Sequence, residues 1–67
     1  MEWSARNQLR GTIKHITTGI VTAEIVVQVG DNEVVSVITR ESAERLGLQV
    51  GDEVVAIIKA TEVMIGK

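Results

Sequence analysis

The chain contains no cysteine, no proline, no phenylalanine and no tyrosine, with a single tryptophan and a single histidine. Without cysteine, disulfides and thiolate metal sites are excluded, and His15 alone cannot build a zinc site from local partners. The net charge is −2, with no basic run. Together with the missing stacking aromatics, this argues against a nucleic-acid partner. No apolar stretch is long enough to span a bilayer. Nothing resembles a signal peptide, so the expected location is the cytoplasm, with no membrane partner. Asp52, Glu53 and Glu62 have no nucleophile or pocket-forming partner in the pattern and read as a solvated acidic rim, not a catalytic carboxylate pair. Gly47, Gly51 and Gly66 fit neither dinucleotide-binding nor P-loop spacing. The chain is therefore expected not to be an enzyme.

What is present is an apolar mass of Val and Ile within a hydrophobic content of 45% over 67 residues. Such residues favour strands. The length suits one domain, residues 1–67. A domain this small is marginal by itself. With disulfides and metal excluded, self-association is the remaining source of stability. Several strands are apolar on both faces, a surplus that copies of the same chain would cover.

Glycines mark the turns. A first strand is predicted from about Ser4 to Ile16, with Leu9, Gly11 and Ile13 on one face and Arg10, Thr12 and Lys14 on the other. His15 is placed on the Ile13 face in a structural role, and Thr17-Thr18-Gly19 reads as a turn. The second strand, Ile20 to Val29, alternates with Val21, Ala23, Ile25, Val27 and Val29 sharing a face. Gly30-Asp31-Asn32 signals a hairpin into a third strand, Glu33 to Ile38. The period then changes to that of a short helix, Thr39 to Leu46. Thr39 is its N-cap, Glu41 and Arg45 are spaced i,i+4, Ala43 and Leu46 face inward, and Gly47 stands at the C-terminal position. After Val50-Gly51-Asp52, strands are predicted at Glu53 to Lys59 and Glu62 to Ile65. The order gives an all-β fold: a small OB-like Greek-key barrel of about five strands with one short helix.

Two segments carry the polar chemistry. Ser4 and Arg6, two apart on the predicted strand, point the same way and offer a hydroxyl and a guanidinium fork, a donor pair suited to a tetrahedral oxyanion. Lys59-Ala60-Thr61 places an ammonium and another hydroxyl at the far end of the chain. Thr39 and Ser42 flank the helix start, where unpaired N–H groups favour an anion. Ordinary helix capping by either residue is the competing reading there. For Ser4 and Arg6 it is a solvated strand end, and for Lys59 a charge snorkelling to water.

The pattern resembles the molbindins, small molybdate-binding proteins of the Mop family with a Mop/TOBE-type domain. The likeness rests on Ser4-Ala5-Arg6-Asn7-Gln8-Leu9, on residues 19–24, on Ile38 to Leu48, on Val50-Gly51-Asp52 and on Ala56 to Met64. It implies an OB-like barrel shared with molybdate-sensing domains of regulators and transporter ATPases. It also implies a hexamer built as a trimer of dimers, with molybdate or tungstate bound at subunit interfaces. The implied interface ligands are Ser4, the backbone N–H of Ala5, Arg6, Thr39, Ser42 and Lys59. Where some relatives carry a serine after the lysine, this chain has Ala60, which leaves a backbone N–H. A further site on the threefold axis would use Gly19, Ile20, Val21 and Thr22. Trp3 lies outside the motif. The implied role is intracellular molybdenum storage or homeostasis; the alternative is an oligomerisation or sensing module that docks on a molybdate transporter or regulator.

Overall fold

The computed structural model describes residues 3–67. Its elements are β1 (Asn7–Thr18), β2 (Thr22–Val29), β3 (Asn32–Thr39), α1 (Arg40–Leu46), β4 (Glu53–Ile58) and a single 3-10 turn (Ala60–Glu62). The four strands form one antiparallel sheet in the order β3-β2-β1-β4. The all-β, OB-like class expected from the sequence holds, with four strands in an open sheet instead of about five in a closed one. The predicted strand at Glu62 to Ile65 is not formed, because its first residue closes the 3-10 turn and residues 63–67 pair with no strand.

The strand ends follow pairing partners. β1 begins at Asn7 and not at Ser4, because Asn7 pairs with Ile58, the last residue of β4. At the other end β1 continues through Thr17 and Thr18, since Thr18 still pairs with Ala23. The turn therefore falls on residues 19–21, and Val21 lies outside β2 and is exposed, away from the face it was assigned.

The core is small: Ile13, Ala23, Ile25, Val27 and Ala43 are buried, with Ile16, Val29, Ile38, Leu48 and Val54 packed against them. Gly11 permits the close approach of β1 to β2, for a Cβ there would lie 2.4 Å from the Gln28 carbonyl oxygen. A bulge interrupts the β1–β2 register, with Ile13 opposite Val27 but His15 opposite Val26. The extra residue, Lys14, reverses the alternation. Ile13 points inward while His15 is exposed, contrary to the shared face expected for them. The loop before β4 is tied to this point by hydrogen bonds from Ile13 N–H to the Asp52 carbonyl, 2.9 Å, and from Gly51 N–H to the Ile13 carbonyl, 2.8 Å.

The helix forms where local signals place it. Thr39 is extended and caps it, and Gly47 ends it with φ 63°, a left-handed conformation that costs glycine little. Its N–H donates to the Glu44 carbonyl, and the Leu48 N–H donates to the Ala43 carbonyl at 3.1 Å. That ending turns Leu48 toward the core, while Leu46, expected inside, is 67% exposed.

Candidate functional site: a groove between the chain ends

Because β1 and β4 run antiparallel, the start of β1 lies beside the finish of β4. The last rung is Asn7 opposite Ile58, so the residues just beyond it on each strand, Arg6 and Lys59, flank the same opening. Ser4, Ala5 and Arg6 from one end of the chain and Lys59, Ala60 and Thr61 from the other line a groove of about 210 Å³. Ser4 and Arg6 are not strand residues, so strand alternation is not what brings them together. A short approach to β1 does so, braced by a hydrogen bond from the Gln8 side-chain amide to the Ala5 carbonyl, 2.8 Å.

The groove contains two cations and no carboxylate in its lining. Neither Arg6 nor Lys59 forms an ion pair with a described residue. Two nearby like charges repel, and a doubly charged anion between them converts that repulsion into attraction. The other donors are neutral: the Ser4 and Thr61 hydroxyls and backbone N–H groups. Trp3, next to Ser4 in sequence, is 55% exposed.

Thr39 and Ser42 do not line this groove. Thr39 sits on a second one, about 590 Å³, with Ile20, Val21, Arg40, Glu41 and Glu44. The sheet register brings these together, since Thr22 pairs with Thr39 and the Arg40 N–H donates to the Val21 carbonyl at 2.8 Å. Of the residues assigned to a threefold-axis site, Ile20 and Val21 line this groove; Gly19 offers its carbonyl to Arg40 Nη1 at 3.4 Å. Capping is realised at Thr39, whose Oγ1 accepts from the Ser42 N–H at 3.0 Å and donates to Ser42 Oγ at 2.8 Å. The Thr39 hydroxyl is thereby occupied on both sides, and the Ser42 hydroxyl keeps its proton to donate.

Arg40, Glu41 and Glu44 were not singled out as site residues from the sequence. The available signal was the mixed charge of residues 40–45, two arginines and two glutamates, which reads as a solvated helix face. Arg40 Nε donates to Glu44 Oε1 at 2.7 Å, an exposed i,i+4 pair. Among the described residues no group of three or more His, Cys, Asp or Glu is placed to hold a metal ion, and no helix is long and apolar enough to cross a membrane.

The sequence matches the TOBE domain family over residues 3–65. It is 46% identical to molybdenum-pterin-binding protein 1 of Clostridium pasteurianum over 66 residues, 97% of each chain. The structure superposes on a molybdate-binding protein from Sporomusa ovata with a TM-score of 0.94 at 43% identity, covering 100% of both chains. It also superposes on ModG, a cytoplasmic molybdate-binding protein solved with molybdate bound, with a TM-score of 0.84 at 43% identity. That match covers 90% of this chain and 43% of ModG. The fold, the match along nearly the whole sequence and the likeness to solved structures converge, and the chain belongs to the TOBE domain family, among its molybdenum-pterin-binding (Mop) proteins.

Proposed function

We propose that this protein binds molybdate, or the similar tungstate, for molybdenum storage or homeostasis in the cytoplasm, without catalysing a reaction. The observation that carries this reading is the chain-end groove, where Arg6 and Lys59 meet with no carboxylate in the lining. Their charges match a dianion. The hydroxyls and N–H groups around them satisfy its oxygens without any proton transfer. A cage of donors held at fixed separations selects by oxygen spacing, which lets the larger molybdate compete against sulfate. Relatives named for binding molybdenum-pterin or molybdate support the assignment.

The anion is held at interfaces between copies of the chain, in a hexamer arranged as a trimer of dimers, each copy comprising one domain, residues 1–67. Within one chain, Thr39 lines a different groove from Arg6 and Lys59, with the Ser42 hydroxyl hydrogen-bonded to it. An interface lets one copy's Ser42 hydroxyl, oriented by Thr39, complete another copy's cationic groove. Assembly is favoured by the apolar surface that one chain leaves uncovered. Ile20, Met64 and Ile65 are 92%, 93% and 90% exposed, and β3 and β4 are open sheet edges. Anion binding and assembly then stabilise one another by linkage. Gly19 to Thr22 are retained as part of a threefold-axis site.

Calorimetry with molybdate and with sulfate tests this, paired with native mass spectrometry to count subunits and anions. The expected result is saturable molybdate binding to a hexamer, with sulfate weaker. No molybdate binding, or equal affinity for both ions, would refute the reading.

A further inference from the structure

The chain-end groove holds a hydroxyl, that of Thr61, which the resemblance to the molbindins does not assign as a ligand. Thr61 lines it beside Ser4, Arg6 and Lys59. The 3-10 turn Ala60–Glu62 fixes its place: the Glu62 N–H donates to the Lys59 carbonyl at 2.9 Å, so Thr61 is held within one turn of the lysine. Thr61 is exposed, and its hydroxyl engages no described residue, unlike those of Thr39 and Ser42. Ala60, between Lys59 and Thr61, has no side-chain donor to offer.

We propose that Thr61 is a specificity-determining ligand of this site, its Oγ1–H donating to the oxyanion that Arg6 and Lys59 neutralise. The proposal rests on the reading of the groove as the molybdate site. Guanidinium and ammonium groups attract any dianion of suitable size. A hydroxyl on a short, branched side chain has limited reach, so its hydrogen bond forms only when an oxygen lies at the right distance. Thr61 thus contributes more to the choice of anion than to the attraction of one, and supplies the hydroxyl that position 60 lacks.

The test uses the full chain in its native assembly, with wild type, Thr61→Val, Thr61→Ser and Arg6→Ala titrated with molybdate and with sulfate. Thr61→Val, nearly isosteric, is expected to weaken molybdate binding about tenfold, the scale of one hydrogen bond to a charged group, and to narrow the molybdate-to-sulfate ratio. Thr61→Ser is expected to stay within about twofold of wild type. Unchanged binding by Thr61→Val while Arg6→Ala weakens it would overturn the role of Thr61 and leave the groove assignment standing. A loss in Thr61→Ser as large as that in Thr61→Val would also overturn it, because serine keeps the hydroxyl and the effect would then follow side-chain packing instead of the hydrogen bond. Unchanged binding in Arg6→Ala as well would remove the groove assignment itself.

Discussion

The groove between the chain ends and the groove beside the helix both combine a guanidinium with a hydroxyl, yet they carry opposite charge. The first brings Arg6 and Lys59 together with no carboxylate; the second surrounds Arg40 with Glu41 and Glu44. Arg40 is also engaged, donating to Glu44 at 2.7 Å. A dianion entering the first groove meets two cations that no described carboxylate engages. One entering the second must compete with a carboxylate already in place and approach another. The larger groove is thus the poorer place for an anion, and unspent charge matters more than volume. Both also differ from the Lys14–Glu33 pair, 2.6 Å, which lies in neither lining and acts as a surface tie across the sheet.

The largest effect is expected from the chain-end cations. Arg6→Ala or Lys59→Ala should each weaken molybdate binding by about 30- to 100-fold, read by calorimetry. A loss of that size on removing Arg40 instead would invert the comparison. Next comes Thr39→Ala, which deletes the helix cap. It should destabilise the fold by about 1 kcal/mol in thermal or urea unfolding, with Thr39→Ser close to wild type. Glu44→Gln comes third. It releases an exposed pair and should cost only about 0.3–0.5 kcal/mol. It should leave the chain-end affinity unchanged while lowering the helix groove's negative charge, visible as stronger weak-site anion binding at high anion concentration.

The smallest effect is a pH dependence. The hydrogen bond from Lys14, reinforced by its positive charge, holds the Glu33 carboxyl below the ordinary glutamate range. A lowered folded-state value means that the folded protein gives up this proton more readily than the unfolded chain. The contribution is therefore complete above the unfolded pKa and disappears as pH falls through the folded one. Melting temperatures of wild type and Glu33→Gln should differ slightly at neutral pH and converge in acid. A gap that widened in acid would contradict the pairing.

How far the fold was legible depended on how local its determinants are. The helix from its Thr39 cap to Gly47 could be read directly, because capping and termination lie within a few residues of each other. The hairpin at Gly30 and the chemical character of Ser4, Arg6 and Lys59 were equally plain. Strand limits were not, because β1 starts where β4 supplies a partner, and that partner lies at the other end of the chain. A single bulge at Lys14 reversed the face of His15, which no alternation rule anticipates. Leu46 and Leu48 exchanged roles because the left-handed residue between them redirects the backbone. For the candidate site, the two cations were legible as types from the residues, while their meeting followed only from the resemblance and not from any local pattern. It depends on register, as does the separation of Thr39 from them within one chain.

That register is anchored far from the groove it shapes. Six paired positions, from Asn7–Ile58 to Thr12–Glu53, run from the chain-end groove to the Ile13–Asp52 and Gly51–Ile13 hydrogen bonds. Sliding one strand by a single residue displaces it by roughly 3.4 Å and turns its side chains to the opposite surface. The short connection across residues 47–52 therefore works as a length gauge. Shortening or extending it by one residue would throw guanidinium and ammonium out of step at the remote end, although no atom lining the groove had been altered.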